Sequence, residues 1–249
     1  MANPIICEVT RGGRVETVHR GAYAVVDGDG RLLEAAGDVE TPIFARSALK
    51  AMQALPLVES GAADAAGFGA RALALATASH SGEPGHVACA RGMLASVGLG
   101  EDALGCGPQW PRDIEVAAAL AAAGEGPSPI VNNCSGKHAG FLCTCRHLGL
   151  PTGSYLDPDH VLQEEIRAAV ETLSGTALAA DRCARDGCSA PTYALPLRGL
   201  AHAIARLASG TGLPPVRAAA GRRLLSAAIA EPWHVAGTRR FCTRIMEAG

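Results

Sequence analysis

The sequence predicts an α+β fold, with antiparallel strands at the N-terminus and an alanine-rich helical region behind them. Three observations predict it. Alternation of apolar and polar residues is confined to the opening stretch, up to Ala36. Helical spacing dominates from Ser47 onward. The two patterns follow one another and do not alternate, as they would in a parallel α/β sheet.

The strands come first. Ile5, Cys7 and Val9 alternate with polar neighbours, and Gly12-Gly13 supplies a turn. Val15 and Val18 lead into Ala22-Tyr23-Ala24-Val25-Val26. Asp27-Gly28-Asp29-Gly30 is a hairpin signal, and Arg31-Leu32-Leu33-Glu34 follows it. An antiparallel meander over residues 5–36 is expected. The character changes at Pro42. A short helix is predicted over 47–55, ended by Pro56. Further helices are predicted over 84–97, 112–123, 137–148, 159–173, 195–208 and 216–230. Pro111 near the start of one, and Gly98 and Gly149 at the ends of others, are ordinary helix punctuation. No repeat of solenoid period is present. Residues 1–249 read as a single domain, with N-terminal strands over 1–45 and a mainly helical part over 46–249. So few strands make a poor sheet alone, so the sheet reads as incomplete and strands completing it are expected beyond Gly249.

Composition narrows the function classes. Apolar residues make up 48% and charged residues 18% of 249, which describes a globular chain. The net charge is -2 and there is no basic stretch, so nucleic acid is not an expected partner. The start Met1-Ala2-Asn3-Pro4 lacks the basic and apolar regions of a signal peptide. No apolar run is long enough to span a bilayer, so a cytoplasmic protein without a membrane partner is expected. The 9 cysteines are odd in number and irregularly spaced, which suits reduced thiols. Cys7, Cys89, Cys143 and Cys145 read as small core residues. Of the 22 basic residues only two are lysines, Lys50 and Lys137. A lysine can be neutral when buried and then serve as base or ligand; an arginine cannot.

Both lysines sit in patterns with chemistry. In Ser47-Ala48-Leu49-Lys50 a serine and a lysine face each other across one helical turn. A serine hydroxyl needs a base, and a desolvated lysine can be one. Backbone N–H groups near the helix start can steady negative charge on an oxyanion. The same pattern also describes an N-cap serine followed by a surface lysine. Asn132-Asn133-Cys134-Ser135-Gly136-Lys137-His138-Ala139-Gly140 places a thiol three residues before the second lysine. Asp186-Gly187-Cys188-Ser189-Ala190-Pro191 is a loop by composition, holding an acid and a thiol. Cys134, Lys137 and Cys188 could form a tetrahedral metal site with water as the fourth ligand, provided the lysine is neutral; buried thiols are the plainer reading. Ser79-His80-Ser81-Gly82-Glu83 suits substrate binding or a helix cap.

These stretches resemble the Asparaginase II family, the rhizobial-type (class 3) L-asparaginases. The resemblance also takes in Glu16-Thr17-Val18-His19-Arg20-Gly21, Phe44-Ala45-Arg46, Gln53-Ala54-Leu55-Pro56 and Val235-Ala236-Gly237-Thr238, and so covers essentially the whole chain. It implies a serine β-lactamase/glutaminase-like fold and hydrolysis of L-asparagine to L-aspartate and ammonia. It implies that Ser47 is the nucleophile, that Lys50 activates it, and that Ser79 belongs to a second Ser/Lys pair. It implies a zinc ion held by Cys134, Lys137 and Cys188, with Asp186 beside metal and substrate. Arg46, His80 and Asp186 are the candidates for substrate binding, the last two for the α-amino and carboxylate ends. A homodimer is expected. The family's lysine for the second pair lies past the position of Gly249, and this chain has no third lysine. Two other classes fit the same residues: another β-lactamase-like serine hydrolase (a glutaminase or an esterase), or a non-catalytic metal or small-molecule binding protein.

Overall fold

Two separate hairpins open the chain in the computed structural model, which describes residues 3–248. The Met1-Ala2 start and the Gly249 end lie outside the described residues. β1 (Ile5–Arg11) pairs antiparallel with β2 (Arg14–Arg20). Gly12 and Gly13 join them, both with φ above zero, as a tight hairpin requires. β3 (Tyr23–Val26) pairs antiparallel with β4 (Leu32–Ala36). In their turn the Asp27 carboxylate accepts from the N–H groups of Asp29 and Arg31 at 3.1 and 2.8 Å.

The expected single meander is therefore corrected to two hairpins, since β2 and β3 do not pair. The chain bends between them at Gly21, whose N–H donates to Pro4 O at 3.1 Å. Ile6 fills the space where a Gly21 side chain would stand. Every residue of β1 and β2 is exposed, whereas β3 lies on helix α9, defined below.

A third sheet completes the β content among the described residues. β5 (Ile43–Phe44), β6 (Cys183–Arg185) and β7 (Pro191–Leu195) run antiparallel in the order β5-β7-β6. β7 is central and mostly buried. Pro191, which lacks a backbone donor, stands at its first position, where a strand tolerates it. The turn between β6 and β7 is residues 186–190.

The rest is helical, so the α+β class holds. A 3-10 turn, Arg46–Leu49, runs into α1 (Lys50–Gln53) and α2 (Leu55–Glu59). Pro56 does not end the segment as expected; it stands in the first turn of α2, where its missing N–H costs nothing. α3 (Ala62–Ala65) and α4 (Ala70–Ala76) follow, then α5 (Pro84–Ala95), α6 (Ile114–Ala122) and α7 (Ser135–Leu148). α8 (Val161–Ser174), α9 (Leu197–Ser209), α10 (Pro215–Ala230), α11 (Pro232–Val235) and α12 (Phe241–Ala248) complete the order. None of the described helices is long and apolar enough to cross a membrane.

α7 is the axis of the core. It touches α2, α3, α4, α5 and α8, and its first eleven residues, 135–145, are all buried. A helix enclosed on every side is normally apolar all round. This one begins with Ser135, Lys137 and His138, so its sequence serves something besides packing. Gly136 lets it approach α4 closely, because a Cβ there would collide with Leu75 backbone. That contact fixes the N-terminus of α7 beside the ends of α4 and the Arg46–Leu49 turn.

Candidate active site

The chemistry-bearing residues converge from four segments on one cavity of about 430 Å³. Its wall includes Ser47, Gln109, Arg112, Asn133, Asp186 and Cys188. Ser47 is exposed to it and Lys50 lies beneath, 2% exposed.

Ser47 follows a strained residue. Arg46 has φ 49, a left-handed conformation that costs a side-chain-bearing residue on the order of 1–3 kcal/mol. Its guanidinium is tied across the cavity to Asp186 Oδ1, at 2.9 Å from Nε and 2.8 Å from an Nη. Burial raises the Asp186 carboxyl, but the Gly187 N–H and the Arg46 charge outweigh it and leave its pKa below the usual value. Asp186 itself is set by its turn: its N–H donates to Ala190 O, and its carbonyl accepts from Ser189 N–H, a residue with φ 67.

A chain of hydrogen bonds links the lysine to the serine. Lys50 Nζ donates to Ala78 O and to Ser79 Oγ, the latter at 2.9 Å. Ser79 Oγ stands 2.9 Å from Ser47 Oγ and donates to it. The expectation that Lys50 meets Ser47 directly across one turn therefore has a different geometry: Ser79 stands between them. The 3-10 winding of Arg46–Leu49 and the depth of Lys50 explain this, since the amine points toward the end of α4 and the loop after it. Burial is the largest influence on Lys50, with the Lys137 charge adding to it, and its pKa falls to about 8. An appreciable share of its amine is thus neutral near physiological pH.

The loop that carries Ser79 is latched from the C-terminal side. Ser79 N–H donates to Val235 O at 3.1 Å, and Ser81 Oγ donates to Ala236 O at 2.8 Å. Thr238 donates to the Glu83 carboxylate from both its N–H and its hydroxyl, at 2.7 and 2.6 Å. Gly237, with φ 116, leaves no room for a side chain against Ser81 and Glu83. Below the loop His80, His86 and Trp233 stack with centroid separations of 5.0 and 4.0 Å.

His80 belongs to this support and not to the cavity wall. It is fully buried; Nδ1 accepts from Gly82 N–H at 3.1 Å and Nε2 lies 3.0 Å from Ser135 Oγ. Both ring nitrogens are thereby engaged, and the ring does not reach the space above Ser47. Burial holds its pKa well below 6.5, so it is neutral.

The second lysine meets the two thiols. Lys137 Nζ donates to Cys188 Sγ at 3.3 Å, and the Cys134 thiol lies beside it. The neighbouring Cys188 thiol, with the Lys50 and Lys137 charges, pulls the Cys134 thiol down despite burial, while Cys134 and burial push Cys188 up. His138 lies beside Cys188. Its Nδ1 is 2.7 Å from Tyr155 OH, whose oxygen accepts from Gly105 N–H, so the tyrosine proton goes to Nδ1. His138 Nε2 is buried without a partner. Among the described residues no three His, Cys, Asp or Glu side chains are grouped to hold a metal. The two thiols with the Lys137 amine form a different donor set. Two thiol sulfurs with a lysine nitrogen, once deprotonated, are a donor set that suits a tetrahedral zinc ion.

Gln109 and Arg112 are wall residues that the sequence reading passed over. Their only signal was a pair of polar side chains flanking Trp110-Pro111 ahead of an alanine helix.

Comparison with known families gives a match to the one described as L-asparaginase II over residues 7–249. A comparison with curated proteins finds no match.

Proposed function

The chain belongs to the L-asparaginase II family, and we propose that it hydrolyses the side-chain amide of L-asparagine to L-aspartate and ammonia, with Ser47 as nucleophile. The observation that carries this reading is the unbroken path Lys50–Ser79–Ser47 at the cavity floor, each link 2.9 Å.

Neutral Lys50 takes the Ser79 proton while Ser79 takes that of Ser47. Ser47 Oγ attacks the amide carbon. Backbone N–H groups at the start of the Arg46–Leu49 turn steady the oxyanion. The proton held on Lys50 returns through Ser79 to the leaving nitrogen, and ammonia departs. Water enters by the same route in reverse: Ser79 and Lys50 accept its proton and return it to Ser47 Oγ as the acyl bond opens, and aspartate is released. Arg46 and Asp186 hold the wall that faces the amino-acid end of the substrate. Cys134, Lys137 and Cys188 are the residues that would hold a zinc ion, which when bound supplies fixed positive charge and geometry beside Asp186. In this reading the 1–249 chain is one domain of the serine β-lactamase-like kind, supported by the Ser-x-x-Lys turn lying directly after a strand of the β5-β7-β6 sheet.

Ser47→Ala is the decisive variant. Ammonia release from L-asparagine should fall by about 10³-fold or more while the fold persists. Wild-type turnover in that variant would remove Ser47 from the mechanism.

A further inference from the structure

We propose that Arg112 binds the α-carboxylate of the amino-acid substrate and sets the specificity of the site for it; this rests on the asparagine-hydrolysing reading above. Two guanidinium groups line the cavity, Arg46 and Arg112. Arg46 is committed to Asp186. Arg112 makes no ion pair or side-chain hydrogen bond with any described residue, so it is the uncommitted cation on a wall that must receive an anion. An arginine fork suits a carboxylate better than any other side chain does.

Its position is not left to a floppy loop. The Arg112 N–H donates to Ser81 O at 2.8 Å, and the Asp113 N–H donates to the same oxygen at 3.2 Å. Pro111 is buried under Gly82, where a side chain would meet it. Arg112 is thus riveted to the loop that delivers Ser79. Any shift of one relative to the other has to break these contacts. The backbone that bears the carboxylate-binding arginine is therefore held in register with Ser79.

The other charged end has a matching group. Asp186 is the one carboxylate among the residues on this wall. Arg46 and the Gly187 N–H both occupy its Oδ1, and Oδ2 accepts no hydrogen bond from the described residues. An α-ammonium on Oδ2 and an α-carboxylate on Arg112 leave the side-chain amide for Ser47. His80, engaged on both nitrogens inside the protein, cannot share the task.

The test compares the full chain with Arg112→Gln and Arg112→Lys on two amides. One is L-asparagine; the other is 3-aminopropanamide, the same amide without the α-carboxylate. L-aspartate binding is measured by calorimetry in parallel, since it needs no turnover. Arg112→Gln should raise KM for L-asparagine and weaken L-aspartate binding by about 10- to 100-fold, with kcat within a few-fold. Its handling of 3-aminopropanamide should match the wild type, and Arg112→Lys should recover part of the loss. Arg112 is exposed, so thermal stability should not move. Unchanged KM and L-aspartate affinity in Arg112→Gln, equal losses on both amides, or a wild type that binds no L-aspartate would overturn the inference. If L-aspartate binds through Arg112 yet no amide is hydrolysed, the hydrolytic reading fails and the carboxylate assignment stands.

Discussion

Lys50 Nζ hydrogen-bonds Ser79 at 2.9 Å, and it is Ser79 that touches the proposed nucleophile. Ser79→Ala breaks the path without altering either end. Turnover should drop by about 10²- to 10⁴-fold with little change in KM. Lys50→Arg should be at least as damaging, because an arginine stays protonated. Steady-state ammonia release checks both. A fully active Ser79→Ala enzyme would mean that Lys50 serves Ser47 by another route.

Thr238 and Glu83 tie the C-terminal segment to the Ser79 loop. Thr238→Val keeps the shape and the backbone bond but removes the hydroxyl, which also accepts from Trp233 Nε1 at 2.9 Å. Stability should fall by about 1–2 kcal/mol in urea denaturation. The activity loss should exceed the fraction unfolded, since Ser79 loses its support. An effect on stability alone would reduce the latch to an ordinary packing contact.

Acid should loosen the protein through its histidine stack. Burial lowers the pKa of His80 well below 6.5; His86 is also lowered, by burial first, with the Trp233 carbonyl and Glu83 opposing. The unfolded chain takes up these protons near pH 6.5, and the folded chain does so only at lower pH. Their contribution is thus fully present above about pH 6.5 and is lost as the pH falls below it toward the folded values. A group that binds one proton fewer in the folded chain than in the unfolded one destabilises by at most about 1.4 kcal/mol per pH unit while that difference lasts. Urea midpoints measured from pH 7 to pH 5 should decline, and His80→Gln should flatten the slope.

Zinc is checked most directly by elemental analysis of the purified protein. Metal should be retained by the wild type and lost in Cys134→Ser and Cys188→Ser. Chelation should lower the melting temperature of the wild type and leave the two variants unmoved. A metal-free wild type with unchanged stability would leave Cys134, Lys137 and Cys188 as a buried thiol–amine cluster.

Much of this layout can be read from punctuation. Pro84, Gly149, Gly175 and Gly210 bracket helices whose ends fall within a few residues of the pattern. The polar start of α7 also stands out, because a buried helix has little other use for a lysine and a histidine. The β5-β7-β6 sheet does not stand out. It unites Phe44 with Ala194, and short strands paired across so much chain leave no local alternation. Residue type likewise gives no direction. His80 looks like a substrate ligand in a Ser-His-Ser-Gly string, but the turn at Gly82 aims it inward. The insertion of Ser79 between Lys50 and Ser47 depends on where the loop after α4 is pinned, and the pins are Val235 and Ala236 at the far end of the sequence.

Helix α6 contributes no buried residue; Ile114 at its start is 79% exposed. The helix that follows Gln109 and Arg112 therefore owes little to the core, although Pro111 before it is buried. Substitutions there escape the stability threshold that constrains most of the chain. Evolution, or a laboratory library, can vary the exposed face of α6 while Pro111, the Arg112 backbone and the Lys50–Ser79–Ser47 path stay intact. Changes of substrate in this lineage should accumulate between Gly107 and Ser128 before they reach the helices beneath.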